Sequence, residues 1–201
     1  MKRWIFAAAA ALSLAACADG GLLEPRTPVS GPREYIVWSP AENIWDSMTP
    51  TDVLDATGGW EVGTLFTTDD TILVTGFRFY KASGETGSHT ANLWTSGGTK
   101  LASKAFGSET SSGWQSVSLT NTVQIPPGTY MVSFNTNTKQ GKTGGYFAFN
   151  GSISRTHLTA TGGGYVSGVG NFPSNGSASA FFADLTFRPK LCNTTTDFPC
   201  P

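Results

Sequence analysis

The fold is decided by a stretch that reads Thr75-Gly-Phe-Arg-Phe-Tyr-Lys81, Gly87-Ser-His-Thr-Ala-Asn-Leu-Trp-Thr95, Lys100-Leu-Ala-Ser-Lys-Ala-Phe106 and Ser112-Gly-Trp-Gln115. Within each segment, β-branched, aromatic and other apolar residues alternate with polar ones, and glycine and serine separate the segments. This pattern is typical of half-buried strands that are joined by turns.

The same pattern continues on both sides of this stretch. In residues 61–67 it places Val62, Thr64 and Phe66 on one face, and in residues 71–81 it places Leu73, Thr75, Phe77 and Phe79 on one face. Further strands are predicted at residues 35–38, 90–95, 100–106, 114–120, 129–136, 145–149, 165–169 and 180–188. Because the helical patterns needed for parallel crossovers are missing, we predict an all-β antiparallel β-sandwich, with a jelly roll as first choice.

Two short stretches receive other predictions. Thr51-Asp52 is a possible N-cap for a short helix that ends at residue 56. Gly162-Gly-Gly164 is predicted to be a loop.

Length and composition predict one domain with short segments at its two ends. The chain has 201 residues, of which 39% are hydrophobic, enough for a single core. The formal net charge of −1 leaves no basic excess to neutralise phosphates, so we do not expect nucleic acid as a partner.

The N-terminus predicts export and lipidation. Lys2 and Arg3 precede an apolar run that is too short to span a membrane, and Leu14-Ala15-Ala16-Cys17 follows. These four residues resemble the lipobox of bacterial lipoproteins, which implies lipid (palmitate-type acyl) attachment at Cys17 and cleavage before it. Because Ala18 rather than aspartate follows, the cell envelope with the outer membrane favoured over the inner one is the expected location. The alternative is an ordinary secretory cleavage site.

The two remaining cysteines, Cys192 and Cys200, lie close together at the end of the chain. In an oxidising compartment they are expected to form a disulfide bond, since no further metal ligands lie near them. The predicted organisation is therefore a signal peptide (1–16), a flexible tether (17–34), a β-sandwich domain (35–190) and a disulfide-stapled tail (191–201).

Several motifs from residue 76 to residue 187 resemble the bacterial family called domain of unknown function 4082. They are Gly76-Phe-Arg-Phe-Tyr-Lys81, Gly87-Ser-His-Thr90, Leu93-Trp94, Leu101-Ala102, Ser112-Gly-Trp-Gln115, Pro127-Gly128-Thr129-Tyr130 and Phe182-Ala-Asp-Leu-Thr-Phe187. The resemblance implies a β-sandwich module of secreted bacterial proteins, often found beside immunoglobulin-like or carbohydrate-acting domains. It implies no catalytic residues.

Signatures of enzymes are sparse. Gly141-Lys142-Thr143 matches only the end of a phosphate-binding loop, and there is no Gly-x-Ser-x-Gly motif for a serine hydrolase. A glycosidase would need two facing carboxylates, whereas most of the acidic residues fall at predicted turns. We therefore expect no enzymatic activity, and a hydrolase is the third alternative.

One pair of residues and one single histidine are candidates for ligand binding. Asp69-Asp70 is a predicted turn whose oxygens would suit a structural calcium ion. His89 lies at the entry to a strand, where it either contacts a ligand or forms hydrogen bonds within that corner.

Aromatic residues indicate a carbohydrate-binding function, because flat rings match the apolar faces of sugars. Tyr80, Tyr146 and Tyr165 lie beside glycine-rich turns and are the candidate binding residues. Trp94 and Trp114 are expected to fill the core. The leading hypothesis is a lipid-anchored module that binds a glycan or another envelope component. The second is a structural or assembly protein that contacts a protein partner through a sheet face.

Overall fold

The structure, a computed structural model, describes residues 35–194. Within them the elements are β1 Tyr35–Trp38, β2 Glu42–Asn43, β3 Asp52–Asp55, β4 Trp60–Thr68, β5 Ile72–Lys81, β6 Thr90–Thr95, β7 Lys100–Ala105, β8 Gly113–Ile125, β9 Gly128–Thr136, β10 Lys139–Lys142, α1 Tyr146–Asn150, β11 Ile153–Arg155, β12 Leu158–Ser167, β13 Asn175–Ser177 and β14 Ala183–Thr194.

Two antiparallel sheets form the sandwich. The β14 sheet has the order β1-β14-β5-β8, and the β4 sheet has the order β11-β12-β4-β9-β6-β7. Strand β2 also pairs with β14, and β13 with β12. Eight of these strands, β1, β4 to β9 and β14, have the connectivity of a jelly roll. When these eight are numbered 1 to 8 along the chain, the order 1-8-3-6 in one sheet faces the order 2-7-4-5 in the other. The predicted antiparallel jelly roll is confirmed.

The core lies between these two sheets and is rich in phenylalanine. Phe79 on β5 and Phe134 on β9 come from opposite sheets, and their ring centroids lie 4.5 Å apart. The largest fully buried phenylalanines are Phe66, Phe77, Phe79, Phe134, Phe182 and Phe187. Burial of each such side chain contributes about 2 kcal/mol, so this layer is a major source of stability.

Strand β4 has the predicted alternation, since Val62, Thr64 and Phe66 are all buried toward the core. Strand β5 does not keep one alternation throughout. Its buried core residues are Ile72, Val74, Phe77 and Phe79.

A bulge explains the change of phase in β5. The register against β8 shifts between Val74 and Gly76, which reverses the faces for the rest of the strand. A Cβ at Gly76 would lie 2.6 Å from the carbonyl oxygen of Val117, so the close approach of β8 requires glycine. The prediction that Leu73 and Thr75 share a face with Phe77 is therefore wrong.

Three other local predictions are also wrong. Residues 52–55 form strand β3, which pairs with β10 in a separate two-stranded ribbon, instead of a helix. Residues 146–150 form helix α1 instead of a strand, and Gly162-Gly-Gly164 lies inside β12 instead of in a loop. No helix in residues 35–194 is long and apolar enough to cross a membrane.

Candidate functional site

A groove of about 330 Å³ lies between the β3–β10 ribbon and strands β4 and β12 of the β4 sheet. Three of its residues are aromatic: Trp60 on β4, Tyr165 on β12 and Phe181 just before β14. The ring centroids of Trp60 and Tyr165 lie 6.3 Å apart, and those of Tyr165 and Phe181 also lie 6.3 Å apart. We call this feature the aromatic groove. Its lining residues are Leu54, Asp55, Trp60, Val62, Gln140, Lys142, Tyr165, Ser177 and Phe181.

The strand register explains why these rings form a row. Tyr165 lies opposite Val62, two residues along β4 from Trp60, so the two rings project from the same face of the sheet. Gly163 precedes Tyr165 on that face. A Cβ there would lie 2.2 Å from the carbonyl oxygen of Ser179 and 2.9 Å from the ring of Phe181. Glycine at this position allows the segment that carries Phe181 to lie directly against the sheet.

Several polar groups of the groove lining have no partner among the described side chains, and of these Gln140 is only 8% exposed. Within residues 35–194, the indole N–H of Trp60, the hydroxyl of Tyr165, the side-chain amide of Gln140 and the ammonium of Lys142 make no side-chain hydrogen bond or ion pair. Tyr165 is 38% exposed, and its ring is accessible from solvent. The site therefore offers apolar ring surface with unused hydrogen-bonding groups beside it.

Asp55, the acidic residue in the lining, differs from these groups because it already has partners. Its Oδ1 accepts hydrogen bonds from the hydroxyl of Thr57 at 2.6 Å and from the backbone N–H of Thr57 at 3.0 Å. These two bonds, with the nearby charge of Lys139, lower the pKa of Asp55. Its carboxylate stays charged at neutral pH and is directed toward residues of its own ribbon.

A buried carboxylate holds the segment that forms one wall of the groove. Glu61 is completely buried on the outer face of β4, and its Oε2 accepts a hydrogen bond of 2.8 Å from the backbone N–H of Gly170. Its Oε1 accepts bonds from Ser133 Oγ at 2.6 Å and Asn92 Nδ2 at 2.8 Å. Burial raises the pKa of Glu61, and the hydrogen bonds only partly oppose this. The segment that starts at Gly170 continues to Ser177 and Phe181 in the groove.

Tyr80 and Tyr146, which the sequence predicts together with Tyr165 as binding residues, lie in a different cluster of aromatic residues. The rings of Tyr146 and Trp45 pack edge to face with centroids 5.3 Å apart, and those of Tyr80 and Trp114 do so at 5.7 Å. Phe182 contacts Trp45, Tyr80 and Trp114. We call Trp45, Tyr80, Trp114, Tyr146 and Phe182 the closed aromatic cluster. The structure does not bring Tyr80 or Tyr146 to the aromatic groove.

His89 is completely buried, so its ring is not accessible to a ligand. Its Nε2 lies 2.9 Å from Glu85 Oε1 and its Nδ1 lies 2.7 Å from Glu109 Oε2, which also binds Lys81 Nζ at 2.8 Å. Of the two roles predicted for His89, the structure confirms hydrogen bonding within the corner.

Glu85 ties this corner to the β9–β10 turn. Its carboxylate accepts hydrogen bonds from the backbone N–H groups of Asn137, Thr138 and Lys139. Burial acts to raise the pKa of Glu85, but the bonds from His89 and these N–H groups outweigh it and lower the pKa. The two glutamates around His89 therefore join loops and do not face a cleft.

The proposed calcium ligands are both paired with side chains. Asp69 Oδ1 lies 2.8 Å from His157 Nδ1, and Asp70 Oδ1 lies 2.8 Å from Lys190 Nζ. The hydrogen bond from Lys190 and the backbone N–H of Thr71 lower the pKa of Asp70. In the part of the chain that the structure describes, no group of three or more His, Cys, Asp or Glu residues could hold a metal ion.

Asp184 is a second completely buried carboxylate. Its Oδ1 accepts hydrogen bonds of 2.8 Å from the backbone N–H groups of Ile44 and Leu185, and Arg78 Nη1 lies 3.7 Å from its Oδ2. Burial raises the pKa of Asp184 to about 7, against the opposing effect of Arg78. The bond from Ile44 fixes the chain just after β2 against strand β14.

Among the tryptophans predicted to be core, Trp94 is 4% exposed but lies on the outer face of the β4 sheet, and its indole N–H donates to Ser133 Oγ at 2.8 Å. Trp114 is half-buried beneath Arg78, whose guanidinium lies 4.3 Å from the ring centroid. Cys17 and Cys200 lie outside the described residues, so lipidation and the disulfide bond stay predictions.

Reasoning from sequence identified Tyr165 but missed most of its neighbours. Lys142 was noticed only within a rejected phosphate-loop motif, and it lies instead on strand β10. Gln140 and Phe181 had no signal of their own. A strand pattern in residues 139–142 and 52–55 would have located the ribbon, but these residues are too few and too polar to show one.

A family model with the description "Domain of unknown function (DUF4082)" matches residues 47–183. The matched range includes the whole aromatic groove and strands β3 to β13. The comparison with curated proteins finds no match for this chain.

Among solved structures, the chain is similar to the infectious bursal disease virus VP2 subviral particle, with 16% identity over 83% of this chain and a TM-score of 0.18. It is also similar to the Gt strain of the same virus, with 13% identity over 85% of this chain and a TM-score of 0.19. The chain spans 39% and 47% of the length of these two proteins.

Proposed function

We propose that this chain, which belongs to the family called domain of unknown function 4082, is a non-enzymatic binding module that holds a glycan in the aromatic groove. The observation that carries the proposal is the row of Trp60, Tyr165 and Phe181 with unpartnered polar groups beside it. Sugar rings present apolar faces to aromatic rings and hydroxyl groups to polar ones, and this groove supplies both.

The absence of a carboxylate pair in the groove favours binding over hydrolysis. Most glycosidases place two carboxyl groups across the scissile bond. Asp55 is the single carboxylate in the groove lining, and Thr57 occupies its Oδ1. Glu85 and Glu109 do flank one imidazole, but His89 between them is completely buried.

The module would be displayed on the cell envelope. The leader and Cys17 support attachment to a membrane through lipid, with the outer membrane favoured. Labelling of cells with a palmitate analogue would transfer label to the wild-type chain and not to Cys17→Ser. Label on the Cys17→Ser chain would rule out this anchor.

The binding proposal is tested by screening the full chain against an array of envelope and environmental glycans, with and without calcium. We expect a hit that Tyr165→Ala and Trp60→Ala abolish. Phe149→Ala is the matched control, because Phe149 is 86% exposed but lies on α1, outside the groove lining. A hit that survives both groove substitutions would place the site elsewhere. Silence across the array would reject the glycan and favour a protein partner.

A further inference from the structure

The hydrogen-bonding groups of the aromatic groove are unequal in kind, and this bears on which glycans would fit. This inference rests on the proposed function. The Lys142 ammonium and the Trp60 indole N–H can only donate, whereas Gln140 and Tyr165 can do both. Asp55, the carboxylate of the lining, already accepts two bonds from Thr57. The free capacity of the groove is therefore dominated by donors, and its best ligand is rich in acceptors.

The charges around the groove also favour a ligand that is rich in hydrogen-bond acceptors. Asp55 Oδ2 lies 4.0 Å from Lys139 Nζ, and both side chains are largely exposed, so water screens this carboxylate. Lys142 has no carboxylate within ion-pair distance among the described residues, although Asp52 lies opposite it in the ribbon. Asp52 accepts a hydrogen bond of 2.9 Å from the hydroxyl of Thr51 and does not line the groove. Among the described residues, Lys142 is thus the charged group of the lining that forms no ion pair.

We infer that the aromatic groove takes an anionic saccharide, that is, a glycan that carries carboxylate or sulfate groups. Its ring lies against Tyr165 and Trp60, and its anionic group receives hydrogen bonds from Lys142 and Gln140. A charge-assisted bond to an anionic group is about twice as strong as a neutral one, so Lys142 discriminates the acid from its neutral counterpart.

Matched ligands separate this inference from the function on which it rests. Binding of the full chain would be measured by calorimetry with oligogalacturonate and with its methyl ester, which keeps the sugar and removes the charge. A second pair, dextran sulfate and dextran, distinguishes sulfate from carboxylate. We expect one charged member to bind at least about tenfold more tightly than its neutral partner. Added salt should reduce this preference.

Variants test whether Lys142 causes the preference for the charged ligand. Lys142→Gln should reduce the preference for the charged ligand over its neutral partner to about twofold or less. Lys104→Gln is the control, since Lys104 lies on β7 and binds Thr120. Equal binding of both members of each pair, or a preference that survives Lys142→Gln, overturns the inference. If neutral glycans of the array bind through Tyr165 and neither charged ligand does, the inference fails and the binding function stands. If no glycan binds at all, both fail.

Discussion

The aromatic groove and the closed aromatic cluster both contain tryptophan and tyrosine, but only the tryptophans of the closed cluster have a hydrogen-bond partner for the indole N–H among the described residues. In the closed cluster the indole N–H of Trp45 donates to the carbonyl of Ala183 at 2.9 Å, and that of Trp114 donates to the carbonyl of Met48 at 3.1 Å. In the groove, Trp60 and Tyr165 donate to no residue that the structure describes. Aromatic side chains whose polar atoms are satisfied internally serve packing, and those left unsatisfied at the surface are available for a ligand.

The two regions also differ in what covers them. Met48 contacts Trp114 and Tyr146 of the closed cluster, and Asp184 holds the nearby backbone N–H of Ile44, whereas the groove is left open between the ribbon and the sheet. The difference shows that aromatic content alone does not locate a binding site. The following predictions test it, from the largest expected effect to the smallest.

Trp45→Ala should cause the largest loss of stability. Trp45 is completely buried and contacts Tyr146, Phe147 and Phe182. Truncation of a buried tryptophan costs about 3–5 kcal/mol of unfolding free energy, which urea unfolding would measure. A loss below about 1 kcal/mol would mean that the closed cluster is not the packing unit described here.

The buried carboxyl of Asp184 should make the closed region sensitive to pH. Because its folded-state pKa of about 7 lies above 3.8, its contribution is fully present below pH 4 and is lost as the pH rises through 7. The whole difference corresponds to at most about 4 kcal/mol. Asp184→Asn should flatten the fall in unfolding free energy between about pH 4 and pH 7, which urea unfolding at each pH would measure. An unchanged slope in this variant would show that Asp184 ionises with little cost.

Glu61→Ala should loosen the wall of the groove. The substitution leaves the N–H of Gly170, the hydroxyl of Ser133 and the amide of Asn92 without their acceptor, at a cost of about 1–3 kcal/mol. Hydrogen exchange should become faster at the amide of Gly170. Glu61→Gln keeps one acceptor oxygen and should be milder. Equal effects of the two variants would argue that packing, rather than hydrogen bonding, holds this segment.

Tyr165→Ala should have the smallest effect on stability. Its ring is 38% exposed, and its centroid lies 6.3 Å from each of the rings of Trp60 and Phe181, so we expect a loss of less than about 1 kcal/mol. Glycan binding should nevertheless disappear in the same variant. A loss as large as that of Trp45→Ala would contradict the distinction between the two regions.

The candidate site could be predicted only in part, as single residues show. Tyr165 stood out because it follows three glycines, but its partner Phe181 lies 16 positions away and reaches it only because Gly163 leaves room for the chain. His89 and Tyr146 had equally suggestive surroundings in the sequence, yet one is buried between two glutamates and the other packs on Trp45. Exposure depends on which segments cross over a residue, and local sequence does not contain that information.

The sequence by itself determined the antiparallel sandwich, the positions of strands β4, β5, β6 and β9 and the core face of β4. Alternation with a period of two is a local property, and it fixes which side chains of a long strand can share a face. Only the tertiary structure decided the bulge at Gly76, the β3–β10 ribbon and the separation of the aromatic residues into one open and one closed group. Each of these depends on contacts between residues far apart in the chain, where burial and close approach outweigh local preference.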